Sequence, residues 1–114
     1  MKLGAINQLP DEPVSHNPAI RKRVLIRKGE IPAIAQVARA TFPPRQTAAA
    51  HAHPDMWELF ICENGSGTMT LDNQKIRLTP GQFVLVEPNE THEIQSDENS
   101  PLELTMLGII PQKQ

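Results

Sequence analysis

The sequence predicts an all-β domain, a sandwich or barrel of about eight to ten short strands. Three observations carry that prediction. Eleven of the 114 residues are proline and six are glycine, and a proline inside a helix costs roughly 3 kcal/mol. The longest proline-free run, Asp55 to Thr79, is itself broken by Gly65-Ser66-Gly67. Between these breaks the apolar residues fall into short runs bounded by turn residues. Helical bundles, coiled coils and α-solenoids are thereby excluded, and the length fits one domain.

Residues 1–18 read as an irregular lead-in, because Pro10, Pro13 and Pro18 are interspersed with Asp11, Glu12, Ser15 and Asn17. His16 within it reads as a surface histidine. Arg23-Val24-Leu25-Ile26 follows as a strand. Ile34 to Phe42 is apolar but alanine-rich and is stopped by Pro43-Pro44. Its periodicity leaves strand or helix open, and with it the side that faces inward. Ala48 to His53 is a short run closed by Pro54. Trp57 to Cys62 is aromatic and β-branched and ends at Glu63-Asn64-Gly65. Thr68 to Leu71 and Lys75 to Leu78 flank Asp72-Asn73 as a hairpin. Thr79-Pro80-Gly81-Gln82 has proline and glycine in type II turn order. Phe83 to Val86, Thr91 to Gln95 and Leu102 to Ile110 complete the strands. With three Phe, one Trp and no Tyr, the core is expected to be mainly aliphatic.

Charge narrows the partners. Eleven Lys and Arg stand against thirteen Asp and Glu, so no strong basic field exists to hold a phosphate backbone. The basic stretch from Arg21 to Lys28 alternates with apolar residues, as a solvated strand or loop does. No nucleic-acid partner is expected. One cysteine, Cys62, excludes an intramolecular disulfide and suits a reducing compartment. The N-terminus lacks the apolar core of a signal peptide, and no run of about 18 apolar residues exists. A cytoplasmic protein with no membrane span is expected.

The chemistry concentrates on His51, His53, Glu58 and His92. In a strand, residues two apart point to one face, so His51-Ala52-His53 aims two imidazoles in the same direction. After the turn at Pro54-Asp55, Glu58, Phe60 and Cys62 share one face of the next strand. A carboxylate beginning an otherwise apolar face is costly unless paired or bound to a cation. His92 can add a third nitrogen from a strand that crosses nearby. Three imidazoles and a carboxylate suit Fe, Mn, Zn, Ni or Co as a divalent ion, with room for water or a bidentate ligand. No G-x-S-x-G, P-loop, G-x-G-x-x-G or C-x-x-C pattern is present.

The spacing carries the reading further. His51-x-His53-x4-Glu58-x6-Gly65, then Gly81-x10-His92, resembles the two motifs of the cupin superfamily, small single-domain conserved-barrel members in particular. The first motif departs only at its opening glycine, which is Arg45 here. In the second, the proline stands one position later as Pro88. Asn89 occupies the following glycine position, where its tolerance of the left-handed conformation makes sense, and Ser96 replaces a final Asn at what reads as a turn. The resemblance spans about residues 34–110. It leaves 1–33 as an N-terminal arm and edge strand and 111–114 as a tail.

The resemblance implies a double-stranded β-helix, a jelly-roll barrel, holding one divalent metal on His51, His53, Glu58 and His92. It implies a small-molecule ligand and a reaction of dioxygenase, isomerase or decarboxylase type. No general base is identifiable, so no catalytic residue is assigned. A non-catalytic module binding or sensing a sugar or carboxylate is the alternative. Phe60 is expected as core filling or as an apolar wall of the ligand pocket. Arg39 is expected either exposed or turned inward to hold a substrate carboxylate. Cys62 is expected to behave as a small buried hydrophobe. A homodimer is expected, with residues 1–30 contributing to it.

Overall fold

A computed structural model describes residues 1–112, so Lys113 and Gln114 of the expected tail lie outside the described residues. Ten strands form two antiparallel sheets. They are β1 (Glu12–Val14), β2 (Asn17–Ile26), β3 (Ile34–Phe42), β4 (Thr47–His51), β5 (Trp57–Gly65), β6 (Gly67–Leu71), β7 (Gln74–Leu78), β8 (Phe83–Val86), β9 (His92–Ser96) and β10 (Leu102–Ile109). One sheet has six strands in the order β1-β2-β3-β10-β5-β8, and the other has four, β4-β9-β6-β7. The non-consecutive neighbours are those of a jelly roll. Apart from a 3₁₀ turn at Ile6–Gln8 there is no helix among the described residues, and none long and apolar enough to cross a membrane.

The lead-in is more ordered than its composition suggests. Glu12–Val14 pairs with β2, which begins already at Asn17 rather than near Arg23. The backbone of β2 supplies the hydrogen bonds, so a three-residue strand containing Pro13 is tolerated at the sheet edge. His16 occupies the connecting turn with φ 69 and is exposed. The N-terminal segment lies back on its own chain: Arg23 Nη1 donates to the carbonyls of Ile6, Asn7 and Leu9.

Strand β3 resolves the open parity. Ala38, Ala40 and Phe42 are buried between the sheets, while Arg39 takes the opposite side. Alanines on both faces had erased the alternation that normally separates inside from outside. The core joins Ile20, Phe42, Phe60, Met69, Leu78, Ile94, Leu102 and Leu104, aliphatic around two phenylalanines. The third, Phe83, is 69 % exposed.

Turns set the register. Gln82 N donates to Thr79 O at 3.1 Å and Gly81 has φ 92, as a type II turn requires. Gly65 has φ 78, and a Cβ there would lie 1.8 Å from the Pro101 carbonyl oxygen. No other residue fits where β5 passes into β6. Asn89 has φ 70 and Arg45 φ 63. Both positions at which glycine is replaced thus keep the left-handed conformation.

Candidate metal centre

Strand β5 delivers Glu58 inward, followed on the same face by buried Phe60 and Cys62. Strands β4 and β9 run side by side, and His51 and His92 are direct cross-strand partners. His53 is not on a strand, since β4 ends at His51. Its segment is held instead by a backbone bond from Asn89 N to His53 O, 2.8 Å. The left-handed turn at Asn89 therefore tethers one histidine while leading the chain toward another.

The four side chains converge. One donor atom from each of His51, His53, Glu58 and His92 lies within 4.8 Å of the other three. Ring centroids are 4.9 Å apart for His51 and His53 and 4.3 Å for His51 and His92. Glu58 Oε1 lies 3.2 Å from His53 Nε2 and 3.1 Å from His92 Nε2. Two donors about 2.1 Å from a shared ion and at right angles sit about 3.0 Å apart. The observed separations fit the edge of such a polyhedron.

Tautomers support the same reading. His51 Nδ1 lies 2.8 Å from Ala49 O, and His92 Nδ1 lies 3.2 Å from Glu90 O. A carbonyl oxygen only accepts, so each Nδ1 carries the hydrogen. Each Nε2 is then left as a lone pair aimed into the cluster. Glu58 Oε1 and His92 Nε2 are both buried without a hydrogen-bond partner, despite their 3.1 Å approach. Two lone pairs face each other, an arrangement that needs a proton or a cation between them. Burial pulls the His92 pKa down. The Glu58 carboxylate and the Glu90 carbonyl outweigh it, so the pKa stands above the ordinary histidine value.

Phe60 adjoins this cluster, its ring centroid 5.7 Å from that of His92. It is part of the core cluster. Arg39 is not brought to it. On the outer side of the six-stranded sheet, its guanidinium donates to Thr105 Oγ1 at 3.1 Å, Glu103 Oε1 at 3.1 Å and Glu63 Oε2 at 3.4 Å. A cavity of about 660 Å³ lies there, between the N-terminal segment and the sheet, lined in part by Arg21, Arg23, Arg39 and Glu103. Its arginines already hold carboxylates or carbonyls of the chain itself. Cys62 is buried, and burial, aided by the Glu63 charge, raises its thiol pKa. It is no thiolate.

Comparison with known proteins identifies the family and the fold. The sequence profile described as Cupin domain matches residues 38–108. The chain belongs to the cupin domain family. It is similar to an uncharacterized protein of Methanocaldococcus jannaschii, 31 % identical over 75 residues, which covers 66 % of this chain and 60 % of that protein. The match thus spans less than two thirds of that relative's length. Among solved structures, a predicted oxalate decarboxylase from Thermotoga maritima superposes with a TM-score of 0.89 at 18 % identity, over 96 % of this chain and 100 % of that one. The polyketide cyclase RemF from Streptomyces resistomycificus gives 0.83 at 15 %, over 100 % and 82 %. At these identities the structures share the cupin fold.

Three contributions lay outside the sequence reading. The carbonyls of Ala49 and Glu90 and the tether at His53 belong to the backbone, which no side-chain pattern encodes. Ser96 is the third. It reads as a turn position, yet it is buried. Its hydroxyl donates to Pro43 O at 2.6 Å and accepts from Gln46 N at 2.9 Å, fixing the corner that leads into β4.

Proposed function

We propose that this cupin binds one divalent transition metal ion (Fe, Mn, Zn, Ni or Co) through His51, His53, Glu58 and His92, and is a cytoplasmic metal-dependent enzyme acting on a small oxygen-rich molecule. The observation that carries the proposal is the buried, unpartnered pair of Glu58 Oε1 and His92 Nε2. When bound, such an ion polarises oxygen ligands of a substrate as a Lewis acid or supports redox chemistry. The chain's own part is to hold and orient. Ala49 and Glu90 fix the two imidazoles, Glu58 contributes the negative charge, and Phe60 keeps the inner side dry.

Reaction type lies among dioxygenase, isomerase and decarboxylase chemistry. The names of the two fold neighbours, a predicted decarboxylase and a cyclase, support starting with oxalate and other small carboxylates, then diols and keto acids. A second reading is a binding or sensing module for a sugar or carboxylate. One observation favours it: inward from Glu58, β5 offers only Phe60 and Cys62, so that strand brings no further carboxylate or imidazole to serve as a base.

Metal analysis of protein loaded with each ion, followed by turnover assays, tests both readings. About one ion per chain and turnover abolished by His92→Ala support the enzyme. Stoichiometric metal and ligand binding without turnover supports the module. No ion retained under any loading condition overturns the site itself.

A further inference from the structure

The strand parity that turns Arg39 outward turns two other polar side chains inward. On β3, Gln36 shares its side with buried Ala38 and Ala40. On β2, Lys22 stands between Ile20 and Val24, both buried, while Arg21 and Arg23 line the outer cavity. Residues two apart share a face, so Lys22 and Gln36 both face the interior of the barrel. They meet there: Lys22 Nζ donates to Gln36 Oε1 at 3.0 Å. Gln36 is level with the metal cluster. It pairs with Gly108, and Gly108 pairs with Glu58. Gln36 and Glu58 therefore stand on one row, two strand spacings or about 10 Å apart. Between them Gly108 presents no side chain. Met56 lies over it, its sulfur 2.8 Å from where a Cβ at Gly108 would be.

The charge on Lys22 is unmatched. Arg21 holds the carboxylate of Asp11, Arg27 that of Glu12, and Arg39 those of Glu63 and Glu103. Glu12 is the cross-strand partner of Lys22, but its carboxylate is bonded by Arg27. Lys22 is half-buried and makes no ion pair among the described residues. It gives one of its three donors to a neutral amide. A cation turned inward without a counter-charge is costly, and a ligand anion offsets that cost.

We infer that Lys22, steadied by Gln36, is the second anchor of the ligand, and that the ligand is a short diacid. One end, a 2-hydroxy or 2-oxo carboxylate, is a bidentate oxygen ligand for the ion. The other end is a carboxylate bonded by Lys22. The few carbons between them lie along Met56, whose thioether is apolar and adaptable. The inference rests on the metal reading proposed above and narrows it to one substrate class. It assigns to Lys22 the role that Arg39 cannot fill from the other side of the sheet.

Calorimetric titration of the metal-loaded full chain tests it with three probes. Malate and 2-hydroxyglutarate carry the second carboxylate, and lactate lacks it. At least one of the two diacids is expected to bind about tenfold or more tighter than lactate, as one charge-assisted hydrogen bond supplies. Lys22→Met is expected to abolish that preference, leave lactate affinity unchanged and retain about one ion per chain. If that variant does not fold, Lys22→Gln carries the test with the same expectation. Lys75→Met, exposed on β7 of the other sheet, is expected to change nothing. Wild-type protein that holds the ion but prefers neither diacid, or a preference that survives the folded Lys22 variant, overturns the inference and leaves the metal reading standing. Wild-type protein that retains no ion overturns the metal reading, and the inference falls with it.

Discussion

Strand β9 carries a polar cluster at each end, and the two are built to opposite rules. At its far end Ser96 and Asp97 are fully satisfied. Asp97 accepts two bonds from Arg77, both 2.7 Å, and one from Ser66 Oγ at 2.6 Å, tying β7 and the β5–β6 turn to the end of β9. At its near end His92 faces Glu58 with neither atom partnered. A buried polar group without a partner costs on the order of 1–3 kcal/mol. Under the metal reading proposed above, an ion would complete the second cluster. One end of the strand is a closed hydrogen-bonded corner, and the other carries the proposed metal site.

The largest expected effect separates the two ends by metal content. His92→Ala or His51→Ala removes a donor and is expected to lower metal affinity by well over the 10–100-fold typical of losing an outer hydrogen-bond partner. Asp97→Ala is expected to retain about one ion per chain. Elemental analysis after dialysis reads both. Loss of metal in Asp97→Ala would erase the distinction between the ends.

Metal-free protein offers a test of opposite sign. Glu58→Leu replaces a buried carboxylate by an apolar group of similar length. It is expected to stabilise the metal-free chain by about 1 kcal/mol, the cost of the unpartnered oxygen. Asp97→Ala is expected to destabilise it, because Arg77 and Ser66 lose their acceptor. Thermal melts of the two variants in chelator should move in opposite directions. A drop in both shows that Glu58 is already compensated without an ion.

Arg45 adjoins the satisfied end, its N–H donating to Asp97 O at 3.0 Å. With φ 63, it pays roughly 1–2 kcal/mol for the left-handed conformation. Its ion pair with Glu98 is more than half exposed on both sides and returns little. Arg45→Gly is expected to stabilise the protein by up to about 1 kcal/mol, measured by urea unfolding. A loss of stability would show that the Arg45 side chain holds the corner before β4.

Much of this contrast can be read from the residues. Proline and glycine mark nearly every turn, and the parity of Glu58, Phe60 and Cys62 on β5 follows from alternation alone. What escapes are relations without a side-chain signature. Ala38 and Ala40 look the same as the alanines around them, so the inward side of β3 is decided by its neighbours. Arg39 finds Glu63 and Glu103 from strands distant in sequence. The apolar outer side of β5 and β8 looks like ordinary core until the sheet shows Phe83 and Leu85 exposed on the side away from it. His53 reaches the cluster from outside β4 because the backbone at Asn89 holds its segment. His-x-His spacing predicts the right destination here through a strand rule that His53 itself does not obey.

Acid titration gives the smallest and most local test. Arg77 and then Ser66 hold the Asp97 carboxyl well below the usual carboxylate range. A group whose folded pKa is depressed contributes stability that is complete above its unfolded value, about 3.9. That contribution declines as pH falls from about 5 through the unfolded value toward the folded one. Asp97→Asn keeps the size and loses the charge. Its melting temperature is expected to lie below wild type by a constant gap above about pH 5, with the gap narrowing steadily at lower pH. The Arg77–Asp97 pair is partly exposed, so added salt should shrink the gap as well. A gap that stays constant down to pH 3, about one unit below the unfolded value, would mean that the Ser66 and Arg77 contacts act through geometry rather than charge, and the satisfied end of β9 would then owe its stability to shape alone.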